Sequence, residues 1–171
     1  ELAALATAVC WTVTALSFES AGRRIGSLAV NVIRLAMGAV LLALATWIWR
    51  GQALPTDATA HAWLWLGLSG LVGFTIGDLC LFRAFVLIGA RLSMLVMTLV
   101  PPLTAAIGLA LMGEVLNPRQ LAGMVLTVAG VVWVVLERSP GNAGQPQKPR
   151  TGGLVLAIGG AAGQALGLVL A

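Results

Sequence analysis

Three polar residues lie inside long apolar runs or directly after one, and they are the first candidates for chemistry: Asp78, Arg34 and Asn31. Asn31 precedes Arg34 by three residues, so on a helix their side chains share one face. If these runs cross a membrane, an ionised group in hydrocarbon costs roughly 3 kcal/mol or more and therefore faces a partner or a cavity. Such groups predict a substrate or proton site. The alternatives are a structural Arg34–Asp78 pair, or side chains that extend to water near the membrane surface.

A second set of small and polar residues follows helical spacing around two prolines. Pro101 and Pro102 each lack a backbone N–H and clash with the preceding turn, so they predict a kinked helix. The carbonyl groups left without donors need neighbouring groups or a water-filled cavity. A passive kink is the alternative to a cavity wall. The predicted wall is a stripe of Ser93, Met97, Pro101, Thr104 and Gly108.

Six apolar stretches must position these residues. A helix needs roughly 20 apolar residues to cross a hydrocarbon core of about 30 Å, and most of the stretches approach that length. Within them, His61 and Arg34 are the only basic residues and no acidic residue occurs. The stretches are residues 2–18, 25–49, 58–77, 92–113, 121–136 and 151–171. They predict an all-α integral membrane protein with six helices, of which the third begins near Ala62, continues past Asp78 and breaks near Gly89.

The composition excludes a water-soluble domain and gives no sign of nucleic-acid binding. Of the 171 residues, 59% are hydrophobic and 9% are charged, whereas soluble domains carry about 25% charged residues. The mean hydropathy is +0.98. The net charge of +4 comes from basic residues scattered near the ends of the stretches, as is typical of membrane helices. Cys10 and Cys80 provide neither a disulfide framework nor a metal-binding spacing.

The chain divides into a five-helix unit, a linker and the start of another helix. Residues 1–137 hold five closely connected helices, the first predicted at 2–18 and followed by a loop at 19–26. Residues 138–151 are rich in Pro, Gly and Gln, so they cannot form a spanning helix. Residues 152–171 are predicted to be the truncated first helix of a second repeat. Because five spans reverse the orientation, that repeat would be inverted, as in many secondary transporters.

Small residues recur every four positions, which lets helix backbones approach closely in lipid. These ridges of small residues allow the helices either to slide past one another or to pack in one fixed arrangement. They consist of Ser69, Gly73 and Gly77 in the third helix, Gly123 and Thr127 in the fifth, and Gly159, Gly163 and Gly167 in the sixth. Glu114 is a structural candidate of another kind. It follows the fourth helix and is predicted to bond to free amides at the start of the fifth.

Short motifs in chain order narrow the prediction further. They are Gly77-Asp78-Leu79, Phe82-Arg83-Ala84-Phe85, Gly89-Ala90, Leu99-Val100-Pro101-Pro102, Leu111-Met112-Gly113-Glu114, Gln120 with Gly123, and Ala129-Gly130-Val131. Over residues 1–137 this order resembles the EamA domain, the repeat unit of the drug/metabolite transporter superfamily. In that family a proline lies in the fourth helix, Gly-Glu ends it, Gln-x-x-Gly begins the fifth and Gly-Val lies near its end. Trp11 and Arg34 also match usual family positions.

The resemblance implies a ten-helix secondary transporter with two inverted repeats around a central cavity. Alternating access of the repeats would move small organic metabolites or drugs. We expect an exporter in the inner membrane of a bacterial cell. The small multidrug resistance branch uses a glutamate in the middle of its first helix; residues 2–18 contain none, so that proton mechanism is not carried over. The family orientation has a cytoplasmic N-terminus, whereas the positive-inside rule favours the reverse.

Two other classes of function compete with transport. An intramembrane enzyme needs a nucleophile with a base, or metal ligands, at membrane depth, yet the one histidine, His61, is predicted at a membrane interface. We therefore expect no catalysis, metal or cofactor. The alternative is a non-transporting scaffold or subunit that binds partners through its glycine ridges. The expected partners are the lipid bilayer and a small-molecule substrate, with no nucleic acid. A homodimer would complete a cavity if the chain held a single repeat.

Overall fold

The computed structural model describes residues 2–113, 116–136 and 150–171, and all regular elements within these ranges are helical. Six helical segments there are long and apolar enough to cross a membrane, which confirms the predicted all-α integral membrane fold. In chain order the helices are α1 (Leu2–Ile25), α2 (Ser27–Arg50), α3 (Ala60–Gly70), a π-helical segment (Leu71–Gly77), α4 (Asp78–Ile88), α5 (Ala90–Met97), α6 (Val100–Met112), α7 (Pro118–Leu136) and α8 (Arg150–Leu170). Residues 138–149 of the predicted linker lie outside the described ranges.

The first helix is longer than the sequence predicted. A loop was expected over 19–26, but α1 continues to Ile25 and α2 begins at Ser27. The single residue between them is Gly26, whose φ of 89° is a conformation that L side chains rarely adopt. Within the last two turns, Arg23 donates to the Glu19 carboxylate at 2.8 Å. Such a pair four residues apart stabilises a helix, so the polar residues extend α1 instead of ending it.

The third span is one continuous rod from Ala60 to Ile88 with a change of pitch in its middle. Between Leu71 and Gly77 the backbone is π-helical, and the Asp78 N–H donates to the carbonyls of Gly73 and Thr75. Asp78 therefore begins α4 directly after the irregular segment. Single π-helical turns inside α-helices occur frequently at functional sites.

The fourth span is interrupted just before its two prolines. α5 ends at Met97, and the N–H groups of Thr98 and Leu99 donate to carbonyls three residues earlier. Pro101 and Pro102 follow in the first turn of α6, where a missing N–H is tolerated. Because prolines cannot donate to the carbonyls four residues before them, regular α-helix cannot continue through residues 97 and 98.

The central helix of the bundle is α8. It packs against α3, the π-helical segment, α4, α5 and α6. Ala157, Ala161 and Ala165 are fully buried at intervals of four residues, and such small side chains let neighbouring helices approach. A separate apolar cluster connects α1, α2, α4 and α5, and consists of Ala15, Val30, Leu81, Phe82, Phe85 and Ala90.

Large apolar side chains cover the outer faces of the bundle. Trp49 is 85% exposed and Leu126 is 73% exposed, and exposed leucines, valines and tryptophans continue along α1, α2, α3 and α7. Soluble proteins rarely expose apolar surface of this extent, whereas a bilayer solvates it. The outer faces and the six long helices together describe a multi-pass membrane protein.

Candidate functional site

Backbone contact between the third span and α8 determines the geometry of the site. A Cβ added to Gly163 would lie 2.8 Å from the Gly77 Cα, and one added to Gly167 would lie 2.9 Å from the Gly73 Cα. Only glycine fits such a contact. The Ser69 hydroxyl adds a hydrogen bond of 2.7 Å to the Gly167 carbonyl. These contacts fix the relative position of the two helices.

Asp78 lies at the centre of a group of polar side chains from three helices. Its side chain is 4% exposed. Arg34 of α2 forms an ion pair with its Oδ2 atom, and the Gln164 amide of α8 donates to its Oδ1 atom. Both carboxylate oxygens therefore have partners, and the partners come from different helices. We call Arg34, Asp78 and Gln164 the polar bridge.

Asn31 adds an amide to this region from the same face of α2 as Arg34. The residue is 2% exposed, and its Nδ2 donates to the Thr75 carbonyl of the π-helical segment at 3.1 Å. Its Oδ1 atom and the Arg34 Nε atom are buried and have no hydrogen-bond partner among the described residues. Buried polar atoms are normally paired, so these two atoms represent unused hydrogen-bonding capacity at the site.

Two aromatic rings flank the Arg34 guanidinium. Its Cζ atom lies 5.4 Å from the ring centroid of Phe82 and 5.8 Å from that of Phe74, within the distance of about 6 Å at which a ring attracts a cation. Phe82 is buried and packs on Phe18, with the ring centroids 4.9 Å apart. Phe74 is 52% exposed. The guanidinium is thus held between a buried ring and an exposed one.

The energetics of the polar bridge give little support for a role in stability alone. Burying two ions costs several kcal/mol per ion, and their mutual attraction offsets that only with good geometry. A buried ion pair is therefore weak support for stability. Ionisable groups within membrane helices usually belong to pathways for solutes or ions, and Asp78 is bonded to side chains of two other helices.

Ser93 and Thr104 make hydrogen bonds to their own helices. The Ser93 side chain is fully buried and its hydroxyl donates to the Gly89 carbonyl at 2.9 Å, while the Thr104 hydroxyl donates to the Val100 carbonyl at 2.9 Å. The structure therefore brings Asn31 and Arg34 to Asp78. The two hydroxyls instead donate to backbone carbonyls four residues earlier in their own helices.

The remaining predicted residues lie elsewhere. Gly73 and Gly77 form the contact with α8, but a Cβ on Gly123 would meet no atom within 4 Å. Gly123 instead lines a groove of about 350 Å³ between α6 and α7. Its other lining residues are Pro101, Pro102, Ala105, Leu116, Gln120, Met124 and Thr127. Glu114 lies outside the described residues.

Sequence reasoning did not single out Gln164 or Glu19. Gln164 is an amide in an apolar stretch, and its position beside the glycine ridge, directly after Gly163, was the available signal. The Glu19 carboxylate accepts from the Ala90 N–H at 2.7 Å and thereby caps the start of α5. Nothing local in the sequence connects Glu19 with a residue 71 positions away.

The sequence matches the model of a protein family, described as the EamA-like transporter family, over residues 1–136. That match covers most of the chain. The chain belongs to the EamA-like transporter family. The resemblance carried by the ordered motifs is thereby confirmed, and it is consistent with the drug/metabolite transporter superfamily. Comparisons with curated proteins and with solved structures found no match.

Within this EamA protein, the matched region contains Asn31, Arg34 and Asp78, whereas Gln164 lies beyond it. Family membership and six apolar helices establish a multi-pass membrane protein of a transporter family. The polar bridge consequently connects the family domain to a helix outside the matched residues.

Proposed function

We propose that this EamA protein is a secondary transporter that exports small organic metabolites or drugs. The polar bridge and Asn31 form its solute-binding or coupling site. The observation that carries this proposal is the Arg34–Asp78 ion pair, which lies within membrane-spanning helices and is bonded to a third helix through Gln164. Charged groups at such positions are costly and are usually retained for function.

The bonds of Asp78 suit a transporter that works by alternating access. In that mechanism, parts of the protein move around a site that they share. Asp78 belongs to the third span, Arg34 to α2 and Gln164 to α8, and we assign α8 as the first helix of an inverted second repeat. A solute that binds among these side chains changes the contacts between the helices. It thereby changes the relative free energies of the two conformations.

The remaining parts of the proposal follow from the same arrangement. Ser93 and Thr104 are proposed to line the solute path in the conformation in which their hydroxyls leave the local backbone. The proposed location is the inner membrane of a bacterial cell. We propose no catalytic step, because the polar bridge offers partners for a solute but no nucleophile paired with a base.

The substitution Asp78→Asn tests the proposal. It keeps the size of the side chain and removes its charge, so the Arg34 pairing that we assign to transport is lost. We expect export to fall by at least about tenfold, because a charge-assisted bond contributes roughly 1.5–3 kcal/mol. The measurement compares solutes released by cells that express wild-type protein or the variant, with membrane levels of protein held equal.

The matched control is Asp57→Asn. Asp57 also pairs with an arginine, Arg50, but this pair is more than half exposed, so we expect its loss to leave export unchanged. Equal export by wild type and Asp78→Asn would exclude Asp78 from the mechanism. Absence of any wild-type-dependent export would instead favour the non-transporting scaffold.

A further inference from the structure

The unused hydrogen-bonding capacity of the site consists of one acceptor and one donor. The acceptor is Oδ1 of Asn31 and the donor is Nε of Arg34, and both atoms are buried without a partner among the described residues. Residues three apart on a helix have Cβ atoms about 5–6 Å apart, so one small group can contact both side chains. An unpaired buried polar atom costs about 1–3 kcal/mol, which a ligand that pairs with it would recover.

The charges of the site are already matched. Arg34 contributes one positive charge and Asp78 one negative charge, and they pair directly. Both oxygens of Asp78 are occupied, because Gln164 bonds to the second one. A ligand with a net charge would leave an unmatched ion within the helices, which is costly in a membrane. The site therefore favours a group that is polar and uncharged.

The site is more exposed at Arg34 than at Asp78. The Arg34 side chain is 29% exposed, whereas that of Asp78 is 4% exposed. Phe74 beside Arg34 is 52% exposed, so the approach to the guanidinium passes an aromatic ring. Aromatic rings pack on one another in offset or edge-to-face arrangements, and a ligand with a flat ring can use this surface.

We propose that Asn31 and Arg34 together bind an uncharged polar group of the solute, a hydroxyl or a carboxamide, which accepts from Arg34 Nε and donates to Asn31 Oδ1. This inference rests on the proposed transport function and specifies the class of its substrate. The polar bridge holds Arg34 in place, and Asn31 Oδ1 selects solutes whose polar group can donate a hydrogen bond.

Three probes with one ring skeleton test the substrate class: nicotinamide, which carries a neutral carboxamide; nicotinate, an anion; and 1-methylnicotinamide, a cation. Each is added at up to about 10 mM to the full chain purified in detergent, and thermal unfolding is measured. A ligand that binds the folded state raises the unfolding temperature, and the rise increases with the ratio of ligand concentration to Kd. We expect nicotinamide to raise it and the two charged probes to leave it unchanged. A larger shift with either charged probe, or no shift with nicotinamide, would overturn the proposal.

Two substitutions locate the binding. Asn31→Leu removes the acceptor, and Arg34→Lys keeps the charge opposite Asp78 but removes the Nε–H donor. Each is expected to raise about tenfold the nicotinamide concentration that gives the same shift as in wild type, the effect of one hydrogen bond. Val32→Leu on the exposed face of α2 is the control and should respond like wild type. If Asn31→Leu does not fold, Arg34→Lys alone decides. If the folded variant needs the same nicotinamide concentration as wild type, Asn31 and Arg34 do not form the binding site.

Failure of this inference is distinguishable from failure of the proposed function. Export that depends on Asp78, together with preferential binding of a charged probe, would retain the transporter and reject the neutral substrate class. Absence of any export that depends on the wild-type protein would reject the transport function itself, and with it this inference.

Discussion

At the scale of single residues, the main question is why an ion pair persists within apolar helices. Arg34 has two aromatic rings beside it and Asp78 has a second partner in Gln164. These contacts reduce the free-energy cost of the two charges, but an apolar pair of similar size would fold at least as well. Stability alone therefore does not account for the pair, and we propose that solute binding does.

The ion pair makes a specific prediction about stability. Arg34→Leu leaves the Asp78 carboxylate buried without a cation, and we expect it to lower the free energy of unfolding by about 3–5 kcal/mol. The double substitution Arg34→Leu with Asp78→Leu removes both charges and should cost clearly less than the single one. Denaturant titration of the protein in detergent measures both. A double variant less stable than Arg34→Leu would show that the pair stabilises the fold by itself.

At the scale of helices, the contact between the third span and α8 depends on the absence of side chains. Gly77 faces Gly163, and Gly73 faces Gly167, at distances that exclude a Cβ on α8. The same contact brings Gln164 to Asp78. The π-helical segment lies on this part of the third span, between Leu71 and Gly77, and its Thr75 carbonyl accepts from Asn31. Close packing and site geometry are therefore features of one contact.

Two glycines of α8 provide a matched test of this contact. Gly163→Ala adds a Cβ that would lie 2.8 Å from the Gly77 Cα, whereas a Cβ on Gly159 would lie 3.9 Å from the Cys80 sulfur, an ordinary contact. We expect Gly163→Ala to lower the free energy of unfolding by about 1–3 kcal/mol through overpacking. Gly159→Ala should be neutral, or stabilising by up to about 1 kcal/mol through helix propensity. Thermal unfolding in detergent compares the two, and equal stabilities would argue against a backbone contact at Gly163.

At the scale of the whole molecule, α8 is an integral part of the bundle although it lies outside the matched family region. It contacts the third span, α5 and α6, and it contributes fully buried residues such as Ala157 and Ala165. The unit that folds together therefore includes residues on both sides of the predicted linker, although residues 150 and 151 of that prediction belong to α8.

Cleavage of the linker tests this integration. Cleavage at a protease site inserted after Gly144 would break the covalent connection between α8 and α1–α7. Because α8 is held by buried contacts and by the Ser69 and Gln164 hydrogen bonds, we expect the two fragments to migrate together in size-exclusion chromatography in mild detergent. Gly163→Leu should separate them, since its side chain cannot fit against Gly77. Separation of the unsubstituted fragments would show that α8 associates only weakly.

The sequence by itself determined the class of protein, its spans and its family. Hydropathy can be read from each stretch of sequence separately. A span of about 20 apolar residues must be a helix, because in lipid only a helix satisfies the backbone hydrogen bonds within a single segment. The ordered motifs from Gly77 to Val131 were likewise readable along the chain and identified the EamA domain. The end of α1 was predicted too early, because Glu19 and Arg23 support the helix through their pairing instead of marking a loop.

Only the tertiary structure decided which polar groups meet. The sequence left Arg34 with several alternatives, and the structure pairs it with Asp78. It also brought in Gln164 from 86 residues away and joined Glu19 to Ala90. Such partners depend on which helix faces are in contact, and many arrangements of six apolar helices satisfy the same hydropathy pattern. The choice among them is made by close packing at a few glycines, a three-dimensional property that spacing along the chain does not contain.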